Sequence, residues 1–136
     1  MSTSRRRRAH TPAGAEAFVQ VFVDRINAAY STADATLIGA ISEKGCLSCK
    51  SLQADVSSLA AKGQRYASDA LTFKSAIAIG GAPKGQQHVR LFMTQNRIEV
   101  VDASGRVVRT DPAKPLKSTV GLIWEGSHWL VFGMAD

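Results

Sequence analysis

Residues Leu71-Thr72-Phe73-Lys74-Ser75-Ala76-Ile77-Ala78-Ile79 mark the point where the chain changes period. Leu71, Phe73, Ile77 and Ile79 alternate with Thr72, Lys74, Ala76 and Ala78. A period of two is that of a strand with one buried face, so the first set is expected to face a core. The strand mode persists downstream. Gly80-Gly81-Ala82-Pro83-Lys84-Gly85 reads as a loop, and Val89, Leu91 and Met93 alternate in a second strand. The stretches 97–101 and 106–109 flank Asp102-Ala103-Ser104-Gly105, a hairpin signal in which Gly105 can take positive φ. After a loop at Asp111-Pro112-Ala113-Lys114-Pro115, the stretches 117–124 and 128–134 flank Glu125-Gly126-Ser127 as a closing hairpin.

Upstream the period is helical. Thr11-Pro12 is a helix start, since a hydroxyl can accept from the first free N–H groups and proline suits the first helical position. Phe18, Phe22, Ile26 and Ala29 follow at three- and four-residue steps, with Gln20, Asp24, Arg25 and Asn27 assigned to the polar side. Asp34 is placed to cap a short second helix carrying Leu37, Ile38 and Ile41. A third helix is expected from Cys46 to Lys62, with Cys49, Leu52, Val56 and Leu59 on its apolar stripe and Gly63 as its stop. Helices precede strands and none separates them, which disfavours a parallel α/β sheet. The expected class is α+β: three N-terminal helices packed on the concave side of one curved antiparallel sheet.

The 136 residues suit one domain, and 45% hydrophobic against 21% charged residues is a globular balance. The formal net charge is +6, but Arg5, Arg6, Arg7 and Arg8 supply most of it. Without those four, 13 basic residues face 11 acidic ones, a net of +2. Residues 1–10 are therefore read as a disordered basic arm and 11–136 as the single domain. Such an arm can meet phosphates or anionic lipid by Coulomb attraction, but four charges make no strong case for nucleic acid. No apolar run reaches the roughly 20 residues of a membrane span. Nor does an apolar h-region or a lipid-accepting cysteine follow the basic start, so the sequence as written reads as cytoplasmic.

Three stretches resemble an actinobacterial domain-of-unknown-function family, number 6318, whose members are mostly exported lipoproteins. They are Thr11-Pro12-Ala13-Gly14-Ala15-Glu16-Ala17-Phe18, Cys46-Leu47-Ser48-Cys49, and Trp124 with Trp129-Leu130-Val131. The order of elements resembles the nuclear transport factor 2-like fold, an α+β cone. The resemblance implies a cell-envelope location, and relatives of this fold pair through the outer sheet face. Phe92, Val100 and Val108 are the expected outward residues for a homodimer. No other partner is indicated.

The chemistry-bearing motifs are few. Cys46 and Cys49 form a C-x-x-C at a helix start. Without a surrounding βαβ unit it does not match a thioredoxin motif, and zinc would need two further ligands. The expected reading is a small structural disulfide between Cys46 and Cys49 that clamps the start of the third helix, with inert thiols and a redox or metal role as the alternatives. His10, His88 and His128 have no ligand-like spacing, so no metal and no cofactor is expected. Gly80 and Gly85 lack the Lys-Ser/Thr that completes a P-loop. Ser127, His128 and Asp102 can be written as a triad, but no spacing favours it, and no catalytic residue is assigned. The cone interior is expected to be apolar, with Phe22, Tyr30, Phe73, Leu91, Met93 and Trp124 as candidate pocket residues. These features favour a non-catalytic module that binds a partner protein or small apolar ligand. The alternative is an isomerase- or dehydratase-type enzyme working in the same pocket.

Overall fold

The computed structural model describes residues 9–136. Arg5 to Arg8, and with them most of the expected arm, lie outside the described residues. Helix α1 spans Pro12–Thr32, α2 Thr36–Gly39 and α3 Leu47–Ala61. Strands follow at β1 Arg65–Tyr66, β2 Leu71–Ile79, β3 Gln86–Gln95, β4 Ile98–Val101, β5 Val107–Asp111, β6 Lys114–Glu125 and β7 His128–Ala135. All named strand pairs are antiparallel. The class is α+β as expected, with two refinements. The second helix is a single turn, and the strands form two sheets, β2-β3-β6-β7 and β1-β4-β5.

Local chemistry sets the helix ends. Thr11 Oγ1 accepts from Gly14 N–H at 3.0 Å, leaving α1 to begin at Pro12. Asp34 takes the N–H and hydroxyl of Thr36 at 3.0 and 2.6 Å, which starts α2. Gly63, at φ +67°, follows α3 in the left-handed conformation that an L side chain disfavours.

The core lies between the helices and the four-stranded sheet. Val19, Phe22, Val23 and Ile26 of α1 meet Val89 and Leu91 of β3, Val120 and Leu122 of β6, and Val131 of β7, all buried. Val56 and Leu59 of α3 and Ile38 of α2 complete it. Burying a Phe or Leu side chain is worth about 1.5–3 kcal/mol, so this cluster dominates the stability of the fold.

Three expectations are corrected. A β-bulge at Lys74 inserts one residue into β2, so that Phe73 pairs with Met93 while Ser75 pairs with Phe92. The alternation inverts there: Ala76 packs on the core, whereas Ile77 and Ile79 face outward, 53% and 37% exposed. Val100, expected outward, is fully buried in β4, although Phe92 and Val108 are exposed. Asn27, assigned to the polar side of α1, is buried. Its side chain donates Nδ2–H to the carbonyl of Leu71 and accepts the Leu71 N–H, both at 2.9 Å.

That contact explains how an edge of the sheet is covered. β2 lies at the end of the four-stranded sheet, so one side of its backbone lacks a strand. Asn27 takes Leu71 at one end of β2, and Glu16 accepts from Ala78 N–H at 2.8 Å near the other. Both side chains come from α1, which lies along this edge. At the opposite edge, the segment after α2 pairs with β7: Val131 N–H donates to Ile41 and Glu43 N–H donates to Val131.

The start of the described chain is also packed. His10 stacks on Trp124 with ring centroids 4.6 Å apart and meets Trp129 edge-on at 5.2 Å. Trp129 Nε1–H donates to the Ala9 carbonyl at 2.9 Å. Ala9 and His10 thus belong with the folded body, not with the arm to which the sequence assigned them.

Candidate functional site

An apolar cavity of about 200 Å³ opens at one end of the sheet. Ile26 and Tyr30 from the C-terminal half of α1 form one wall, and Met93, Leu116 and Met134 from the ends of β3, β6 and β7 form another. Leu52 of α3 and Tyr66 of β1 close the sides. Each element presents its residue for a local reason. Tyr30 follows Phe22 and Ile26 at helical steps, Leu52 follows Cys49 on α3, and Met93 follows Val89 and Leu91 at strand alternation.

Tyr30, Leu52 and Met134 also line a shallower groove of about 460 Å³ that continues from the cavity. Asp55, Ser48 and Ser51 of α3 and Ser118 of β6 add polar groups to it. The Tyr30 hydroxyl donates to Asp55 Oδ2 at 2.7 Å. The rings of Tyr30 and Tyr66 lie 4.6 Å apart at a tilt of 36°. Burial, and then the bond to Asp55, hold the Tyr30 proton well above the ordinary tyrosine range. Burial and the negative charge of Asp55 raise Tyr66 as well. At neutral pH both phenols are therefore neutral, and Tyr30 serves as a fixed donor.

Of the pocket residues expected from sequence, the structure brings Tyr30 and Met93 together here. Phe22 and Leu91 are buried in the main core and do not line the cavity. Phe73 borders a separate hollow between α1 and β2, beside Glu16 and Gln20. Trp124 stands in the His10 cluster. Leu52, Leu116 and Asp55 were not expected at a pocket from sequence. Leu52 was legible as an apolar position of the third helix, but only tertiary packing shows that it frames a space.

Cys46 caps α3, its sulfur accepting from Cys49 N–H at 3.1 Å. The two sulfurs lie at bonding distance, with Cα atoms 5.3 Å apart, and both residues are buried. Asp102 is spent on its own hairpin turn, accepting from Ser104 and from Arg106 N–H, and these bonds hold its carboxyl below the usual range. Ser127 and His128 sit at the tip of a different hairpin. The triad that can be written from the sequence is therefore divided between two separate turns. Among the described residues no cluster of metal-ligating side chains occurs, and no helix is long and apolar enough to cross a membrane.

Residues 4–135 match the family of unknown function DUF6318. The chain belongs to this family. No curated protein matches it. Its fold is similar to that of the intermembrane space region of the chloroplast protein ARC6, at 13% identity and a TM-score of 0.68, over 93% of this chain and 96% of that one. It is also similar to Aln2 from a Streptomyces species, at 16% identity and a TM-score of 0.54, over 86% and 85% of the two chains. A protein of unknown function with a cystatin-like fold from Nostoc punctiforme aligns at 11% identity and a TM-score of 0.51, over 87% and 88%. These likenesses establish the α+β fold of helices on antiparallel sheet, and the DUF6318 family carries no assigned activity.

Proposed function

We propose that this DUF6318 domain is a non-catalytic binding module that holds a small apolar ligand in the cavity between Tyr30, Leu52 and Met134. The observation that carries the reading is the cavity itself, walled by Ile26, Met93, Leu116 and Met134 and open to a polar groove at one side. Apolar walls with a few convergent polar groups are the usual make-up of a ligand site. The phenol most enclosed in it, Tyr30, keeps its proton and spends it on Asp55, an arrangement suited to fixing a bound molecule more than to shuttling protons. This favours binding over the isomerase- or dehydratase-type alternative. The test is displacement of a fluorescent apolar probe, with Leu52→Trp filling the junction of cavity and groove. Loss of binding in that variant supports the reading, and probe binding unaffected by it would refute the site.

A second reading concerns the outer sheet face, as the surface for a partner protein or a second copy of the chain. Ile77, Ile79 and Phe92 are exposed there, and Phe132 rests its ring over Gly121 beside them. Light scattering of the parent and of Phe92→Asp tests it: a dimer converted to monomer supports the reading, and a monomeric parent ends the homodimer. We place the protein in the cell envelope, in the manner of an actinobacterial lipoprotein, on its family resemblance. A Cys46–Cys49 disulfide fits an oxidising compartment. Cell fractionation checks the location.

A further inference from the structure

The hydrogen-bonding state of the groove indicates which kind of head group the ligand carries. This inference rests on the cavity being a ligand site. The donors that line the groove are largely committed. Tyr30 O–H is given to Asp55 at 2.7 Å, Ser48 O–H to the Met134 carbonyl at 2.9 Å, and Ser118 O–H to the Ala135 carbonyl at 3.0 Å. Ser51 adds a hydroxyl that can serve either way. What remains open is acceptor capacity: the second carboxylate oxygen of Asp55 and the lone pairs of the serine oxygens. Asp136 adds a second carboxylate to the lining, and no residue lining the groove is basic. An anionic head would meet two carboxylates and few free donors. A cationic head with N–H groups would meet charge and acceptors together. Beside it, the cavity offers apolar walls with room for a short chain.

We infer that the ligand is a single-chain amphiphile with a cationic, hydrogen-donating head. Its alkyl part lies in the cavity against Met93, Leu116 and Met134, and its head lies against Asp55. The Tyr30 bond holds one oxygen of Asp55, a residue of the groove lining, and leaves the other for the head group.

The experiment compares octylamine, octanol and octanoate by titration calorimetry, with the same chain length and three head groups. The expected order is octylamine first, octanol second and octanoate weakest. Asp55→Asn should weaken octylamine by about five-fold, as for a partly exposed charge pair, and leave octanol unchanged. Lengthening hexylamine to octylamine should raise affinity about four-fold per methylene until the cavity is full. Octanoate binding as tightly as octylamine, or octylamine indifferent to Asp55→Asn, overturns the inference while leaving the cavity reading intact. If octanol also fails to bind, the cavity reading falls with it. Asp55 is exposed on α3, so its substitution should not compromise folding, and a circular dichroism melt checks this.

Discussion

Asn27 provides the sharpest test of how α1 is held to the sheet. Its side chain forms two bonds to one residue, Leu71 N–H and C=O, each at 2.9 Å, and so acts as the neighbouring strand that β2 lacks. Each such bond contributes about 0.5–1.5 kcal/mol net, and leaving a buried partner unpaired costs about 1–3 kcal/mol. Leu71 is half-buried, so water can reach it in part, which favours the lower end for each group. Asn27→Ala should therefore cost about 2–4 kcal/mol, a large share of the roughly 5–15 kcal/mol of a typical domain. Asn27→Leu separates bonding from packing: it keeps the volume and loses both bonds, so it should be destabilised to a similar degree. Asn27→Asp keeps the acceptor for Leu71 N–H but turns a carboxylate oxygen toward the Leu71 carbonyl. Protonation restores a donor, and burial against the carbonyl raises the folded carboxyl's pKa above the unfolded value of about 4. Its deficit should therefore narrow as pH falls from neutral toward about 4 and stay constant below it. Urea unfolding followed by tryptophan emission gives the free energies, and hydrogen exchange at the Leu71 amide reports the bond directly. An Asn27→Ala variant within about 0.5 kcal/mol of the parent, with Leu71 exchange unchanged, would refute the reasoning.

Other outcomes follow from the same geometry. His10→Ala should lose about 1 kcal/mol, the usual worth of an aromatic pair, and shift tryptophan emission to the red as Trp124 meets water; unchanged emission would show that the stack does not persist in solution. Above about pH 10 the unfolded chain releases tyrosine protons that the folded chain keeps on Tyr30, so stability falls as pH rises from there through the folded value. Tyr30→Phe should flatten that decline, measured by urea unfolding between about pH 9 and 11. Reduction of the Cys46–Cys49 pair should lower stability by less than the usual roughly 2–4 kcal/mol, because the loop it closes is very short. Two titratable thiols in protein taken from an oxidising compartment would remove the disulfide from the account.

Much of the architecture was legible in the residues. The switch from helical to two-residue period near Tyr66, the Thr11-Pro12 start, Gly63 after α3 and the hairpin turn at Gly105 are local signals, and each appears where local chemistry puts it. The candidate site was legible only in part. Tyr30 and Met93 were named, but Phe22 and Leu91 share their apolar pattern and fill the core instead. A periodic apolar residue announces that it is buried, without saying whether its neighbours leave a space beside it.

What the sequence determined alone, then, was the order and type of elements, the class of the fold and the near-neutral body behind its arginine-rich start. Each of these depends on neighbours within a few positions along the chain. Tertiary structure decided the faces and the spaces. One inserted residue at Lys74 turned Ile77 and Ile79 from the core to the surface, because a strand's sides alternate and a bulge shifts the count by one. Asn27 became an internal bracket because an unpaired strand edge, 44 positions downstream, needed a donor and an acceptor. Tyr30, Asp55 and Met134 came to share one groove because helix and sheet cross there. No local pattern encodes such a meeting, since it depends on how separate elements stack.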